Sequence, residues 1–306
     1  MVQYKDDDYG SFGGIAISSD LINQADIILQ SIPYESGTSG KKGTSFAPSA
    51  LRMISKDMQL ISRTGINLSK LKLVDKGNVS INLVNGEFTR KNIYQSMKYL
   101  LEISRAPIIT IGGDHSITFP LIQALADTEK SVGIIWFDAH RDLMDELLNS
   151  KYSHGSSLRR SIELPNIEPK NVLLVGTRYF TIEEEEFVHN YGIGELKQSE
   201  LEKELNPIDL ISKKVQEIAS RVDSLYFSID IDGLDPAFAP GTGTPVAGGM
   251  TSSELMQLIN ILDNKIRAFD LVEVSPPLDP SGITVKLMLA IITEIFTQIK
   301  ITYSIQ

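Results

Sequence analysis

Residues 225–236 read Leu-Tyr-Phe-Ser-Ile-Asp-Ile-Asp-Gly-Leu-Asp-Pro. The run of aromatic, aliphatic and β-branched residues predicts a buried strand over Leu225–Ile231. Its end carries Asp230 and Asp232, and residues two apart in an extended chain share a face. Two carboxylates side by side in an apolar setting are unfavourable unless a cation neutralises them, and a divalent metal is the simplest candidate. The same device recurs in 131–142, Ser-Val-Gly-Ile-Ile-Trp-Phe-Asp-Ala-His-Arg-Asp, where an apolar strand ends in Asp138, His140 and Asp142. A third apolar run, Pro107–Ile111, ends in Gly-Gly-Asp-His-Ser and supplies Asp114 and His115. Converging strand ends would offer more oxygen and nitrogen donors than one metal takes once solvent is admitted. That points to a metal pair bridged by shared carboxylates. Asp114 is expected to orient His115 as a hydrogen-bond acceptor.

Strand-like and helix-like runs alternate around these three. Further strands are expected at Ala25–Ile32, Leu71–Asp75, Val79–Leu83, Val172–Val175 and Ala268–Val274. Helices are expected at Pro48–Ile61, Thr89–Ser104, Pro120–Thr128, Thr181–Asn190, Pro207–Val222, Ser252–Leu262 and Thr284–Ile299. Thr251-Ser-Ser-Glu254 has the pattern of a capping box at a helix start. Such alternation predicts an α/β fold with a parallel sheet covered on both faces, and in such folds sites gather at the carboxyl ends of the strands. No composition break or long linker divides residues 1–306, so one domain is expected. The acidic run Glu183–Glu186 is read as the solvated first turn of a helix, and His189 as an exposed helix residue.

The chain has no cysteine, so any metal sits in an oxygen and nitrogen shell. The net charge of −10 argues against a nucleic-acid partner. The polar N-terminus is unlike a signal peptide, and no apolar run is long enough for a membrane span, so the expected location is the cytoplasm. The loop Gly37–Gly43 lacks the spacing of a P-loop, and Gly241 with Gly243 completes no dinucleotide fingerprint.

Gly112-Gly-Asp-His-Ser116, Asp138-Ala-His-Arg-Asp142 and Ser228-Ile-Asp-Ile-Asp-Gly-Leu-Asp-Pro236 together resemble the ureohydrolases, the family of arginase and agmatinase. So do Gly241-Thr-Gly-Thr-Pro-Val-Ala-Gly-Gly249 and Asp270-Leu-Val-Glu-Val-Ser-Pro-Pro277. The likeness runs in order from about Ser31 onward. It implies a three-layer αβα fold of the arginase/deacetylase type and a homotrimer or homohexamer. It also implies two Mn²⁺ ions per chain. One would be held by His115, Asp138, Asp142 and Asp230, the other by His140, Asp138, Asp230 and Asp232. A hydroxide shared by the ions would attack the guanidinium carbon of a small cationic substrate, and Asp142 would pass its proton to the leaving amine. Glu273 matches the glutamate that pairs with the guanidinium, and His154 matches a proton-shuttling, substrate-contacting histidine.

Arginases carry an asparagine where this chain has Met144, which cannot recognise the amino-acid end of arginine. Tyr152-Ser-His-Gly-Ser-Ser-Leu-Arg-Arg160 looks more like agmatinase. The expected reaction is therefore agmatine plus water to putrescine and urea. Arginase, guanidinobutyrase and formimino-group hydrolase remain alternatives, as does a catalytically silent metal-bound scaffold. Two departures from the family stand out. Arg141 replaces a small residue, and strand alternation should point it away from the metals toward an acidic partner. Lys41-Lys42-Gly43 replaces Arg-Pro-Gly.

Overall fold

The three strands that end in candidate ligands and the one that ends in Glu273 lie side by side at the centre of one sheet. The computed structural model describes residues 4–5, 12–261 and 265–305. Its strands are β1 (Tyr4–Lys5), β2 (Ile27–Ser31), β3 (Leu73–Val79), β4 (Ile108–Ile111), β5 (Val132–Phe137), β6 (Val172–Val175), β7 (Gly194–Leu196), β8 (Ser224–Asp230) and β9 (Ile266–Val272). They form a nine-stranded sheet in the order β1-β3-β2-β4-β9-β8-β5-β6-β7. β1 pairs antiparallel at the edge, and the other pairings are parallel. The chain leaves β4 for β5 across a gap that β8 and β9 later fill. The strand order reverses there, and at such a point loops splay apart to leave a crevice.

Central strands such as Val132-Gly-Ile-Ile-Trp-Phe137 are apolar on both faces because helices cover both. Ile135 and Phe137 pack with α1 (Ala47–Ser55), α7 (Pro207–Ala219), α8 (Ser252–Asn260) and α9 (Ile283–Thr302). Ile134 and Trp136 face α2 (Gly86–Ile103), α3 (Thr118–Ala126), α4 (Ser157–Ile162) and α5 (Ile182–Tyr191). A short α6 spans Gln198–Leu201. The architecture is the expected three-layer αβα sandwich. Among the described residues no helix is long and apolar enough to cross a membrane.

Several sequence expectations need correcting. Leu71–Asp75 and Val79–Leu83 are not two strands: β3 runs on through Asp75-Lys76-Gly77-Asn78. The apparent turn is a bulge, with Gly77 at φ 72° and a register shift opposite Leu29 and Ser31. β8 stops at Asp230, and Ile231–Gly233 forms a 3₁₀ turn. β9 stops at Val272, with Glu273 at φ 62° beyond it. α1 ends at Ser55 rather than Ile61. α8 opens with the predicted Thr251–Glu254 capping box, and the expected end of that helix, Leu262, lies outside the described residues.

Candidate metal centre

Each ligand-bearing strand breaks into a tight turn at its carboxyl end, and the turns bring side chains together that straight strands would not. After β4, Gly112 and Gly113 continue the main-chain bonding, with Gly113 N–H on Ile32 O at 2.9 Å. A Cβ at Gly113 would lie 1.7 Å from Tyr34 O, so only glycine lets the chain pass. His115 then opens a 3₁₀ turn. After β8, Asp230 accepts Asp232 N–H at 2.8 Å, and this turn, not alternation along a strand, brings both carboxylates inward. After β5, the chain turns until Asp142 sits at φ 54°.

The result is two adjoining groups of donors, His115 with Asp138 and Asp230, and His140 with Asp138 and Asp232. Nδ1 of His115 lies 3.1 Å from Oδ2 of Asp138, of Asp142 and of Asp230. Nδ1 of His140 lies 3.4 Å from Asp138 Oδ1 and 3.2 Å from Asp232 Oδ2. Asp138 therefore offers one oxygen to each group. All six predicted ligand residues converge on this place.

The environment of His115 tests whether a cation fits. Its Nε2 is 2.7 Å from Ser228 Oγ, and Ser228 donates its own proton to Asp270 Oδ1 at 2.6 Å. Ser228 Oγ can then only accept, so Nε2 carries the ring proton. In a neutral ring Nδ1 thus turns a lone pair toward three buried carboxylate oxygens, an arrangement that calls for positive charge at its centre. Edges of 3.1 Å suit an octahedron with donors about 2.2 Å from its centre, between the spacings typical of Mg²⁺ and Ca²⁺. The electrostatics agree. Burial first, then Asp232 and Asp138, push Asp230 well above the usual carboxylate range. Burial and Asp138 raise Asp142 to about 6. Burial opposes charge on His140, yet Asp232 and Asp138 lift it to about 12. This much stored repulsion is what bound cations relieve.

His154 and Glu273 lie beside the groups. His154 Nδ1 is 3.1 Å from Glu273 Oε1, which also accepts His115 N–H at 2.9 Å. Glu273 Oε2 is buried with no partner. A cavity of about 170 Å³ opens over the centre, lined by His140, Asp142, His154 and Asp230 together with Met144, Tyr179, Phe180, Thr181 and Glu184. Glu273 contacts His154 without itself lining the cavity.

Asp114 does not orient the His115 ring. It accepts Gly37 N–H at 2.6 Å and Ser116 N–H at 3.0 Å, which pins the glycine-rich loop to the centre. That loop reaches the cavity through Ser39. Sequence reasoning assigned no role to Ser228 or Asp270. Asp270 stands directly opposite Ser228 in the sheet and also accepts Thr118 and Tyr226 hydroxyls at 2.6 Å. Polar residues inside apolar strands were the available signal. Arg178 also passed unremarked. Its guanidinium binds the carbonyls of Asp232, Gly233, Leu234 and Val246, tying the β6 and β8 turns together.

The described residues belong with known proteins. A model of the Arginase family matches residues 25–297. A mitochondrial guanidino acid hydrolase of Homo sapiens is 34% identical over 262 residues, covering 84% of this chain and 73% of that protein. Guanidinobutyrase of Pseudomonas aeruginosa is 33% identical over 289 residues, covering 89% and 88%. The crystal structure of agmatine ureohydrolase of Thermoplasma volcanium superposes with a TM-score of 0.83 at 26% identity, covering 92% of each chain. The chain belongs to the arginase family, hydrolases that act on guanidino groups.

Proposed function

We propose that the protein hydrolyses agmatine to putrescine and urea, with Mn²⁺ as the metal. The supporting observation is the charge of the cavity wall. Outside the metal ligands it carries the carboxylate of Glu184, and no lysine or arginine among the described residues. A substrate with an ammonium tail suits such a wall, whereas a carboxylate tail would find no cation to meet it. Met144 stands in the same lining and offers no hydrogen bond to an amino-acid end.

His115, Asp138, Asp142 and Asp230 would hold one ion, and His140, Asp138, Asp230 and Asp232 the other. Bound there, the ions would supply an acidified water and positive charge where negative charge develops. Asp142, at the edge of the first ion's site, is the carboxylate placed to take up a proton from the water and return it. Glu273 Oε2 is buried and unpartnered behind His154, and it accepts from a guanidinium that reaches past that ring. His154 is built to carry a proton in either state. Neutral, its Nε2 accepts Ser39 N–H at 3.0 Å; charged, Nε2–H turns to Ser39 Oγ at 2.8 Å. Burial opposes the charge, but the Glu273 carboxylate hydrogen-bonded to Nδ1 favours it, so the ring can give a proton to the leaving amine.

The test is urea release from agmatine, 4-guanidinobutyrate and arginine after Mn²⁺ loading. Agmatine should lead in kcat/KM by at least about tenfold. A second reading, 4-guanidinobutyrate as substrate, draws support from the likeness to guanidinobutyrase. If that compound leads instead, the agmatine assignment is wrong. Formamide rather than urea from a formimino substrate would replace both.

A further inference from the structure

Arg141 stands between His140 and Asp142, yet its side chain leaves the centre and is fully buried. Its Nε and Nη2 each donate at 2.7 Å to the two carboxylate oxygens of Glu195 on β7. Nη2 also reaches Glu185 in α5, and the guanidinium lies 3.6 Å from the centre of the Phe180 ring. The acidic run 183–186 is thus more than a solvated turn. Glu184 is buried, caps α5 through Thr181 and accepts Leu143 N–H at 3.0 Å. From the other side, Ala139 O accepts both Arg178 N–H at 2.9 Å and Tyr179 N–H at 3.0 Å. Residues 178–185 therefore grip the turn 139–143, and Phe180 belongs at once to that grip and to the cavity lining.

We propose that Arg141 is a positioning residue that fixes Phe180, and with it the cavity wall over the substrate tail, against the turn carrying His140 and Asp142. It reaches neither the cavity nor the reacting atoms. A planar guanidinium can stack on a ring and hold a carboxylate by two bonds at once, which an ammonium cannot. The inference rests on the cavity being the guanidino-substrate site, and not on agmatine being that substrate.

Arg141→Lys keeps a cation opposite Glu195 but loses the stack and the two-pronged hold. On whichever guanidino compound the native protein turns over fastest, KM should rise about fivefold. kcat should stay within about twofold, with Mn²⁺ content unchanged. Phe180→Leu should raise KM as well, and the double variant no further than the larger single change. Independently of activity, hydrogen exchange across 178–185 in the Mn²⁺-loaded protein should speed up in Arg141→Lys. If that variant fails to fold, Glu185→Gln, at a half-exposed position that spares the Arg141–Glu195 pair, should show the same changes at smaller size. An unchanged KM, unchanged exchange, or KM effects that multiply in the double variant overturns the proposal. A native protein that releases urea from no guanidino compound overturns the proposed function instead, and the exchange comparison then decides the role of Arg141 alone.

Discussion

The His115 and His140 groups use the same residue types and share Asp138, but the protein seals the histidine of one and leaves that of the other open. His115 is fully buried, stacked face to face on Trp136 at 4.1 Å, and held at Nε2 by the Ser228–Asp270 pair inside the sheet. His140 has 22% of its side chain exposed and meets Tyr179 edge-on at 5.7 Å, facing the cavity. The sealed histidine is suited to hold its ion more firmly than the open one, although Asp142 and Asp230 of its group also reach the cavity. Preorganisation comes from Asp270 and Ser228 on the next two strands, β9 and β8, which the ligands alone do not reveal.

The largest effect is expected where the groups join. Asp138→Ala removes a donor from both and leaves the remaining carboxylates facing one another. Urea release should fall at least about a thousandfold, with both ions lost by elemental analysis. A variant that keeps two ions and measurable activity would show that Asp138 is not shared. Next in size, His140→Ala should empty the open group and leave the sealed one filled, at a cost of about a hundredfold in activity. Loss of both ions together would erase the contrast between the groups. Trp136, the single tryptophan, donates to Asp138 Oδ2 at 3.0 Å, so its fluorescence reports filling of the sealed group directly.

Ser228→Ala sharpens the comparison further. It removes the acceptor of His115 Nε2 and one of the hydroxyls that satisfy buried Asp270. Affinity at the sealed group should drop about tenfold or more, read from Trp136, while the open group keeps its affinity. Equal weakening of both would mean that the relay from the sheet supports the centre as a whole. The smallest effect is the proton count at the open group. Without metal, burial opposes the charge on His140 but Asp232 and Asp138 lift it to about 12, so the ring is protonated throughout the neutral range. An ion must displace that proton, and affinity should therefore rise with pH by up to about tenfold per unit. Calorimetry in buffers of different ionisation enthalpy should find one proton released; an affinity that falls as pH rises would contradict the sign.

The ligands were legible in the sequence because they break a rule. Apolar strands do not end in pairs of carboxylates and imidazoles without a reason, and that anomaly survives any error in strand boundaries. The way they meet was less legible: the 3₁₀ turns after Asp114 and Asp230 depend on main-chain bonds to their own side chains. The bulge at Gly77 reads as a turn because Asp-Lys-Gly-Asn is turn chemistry, and only the neighbouring β2 makes it strand. Ser228 and Asp270 become a pair only when β8 and β9 are laid side by side. Glu184 and Glu185 look solvated until Leu143 and Arg141 arrive from a distant turn. Arg141 turns outward to acidic partners, as strand alternation suggested.

The most direct test is a crystal of the Mn²⁺-loaded protein measured at the manganese absorption edge. Two anomalous peaks should appear, one among His115 Nδ1, Asp138, Asp142 and Asp230, the other between His140 Nδ1, Asp138 and Asp232. A single peak, or none within reach of Asp138, would contradict the account.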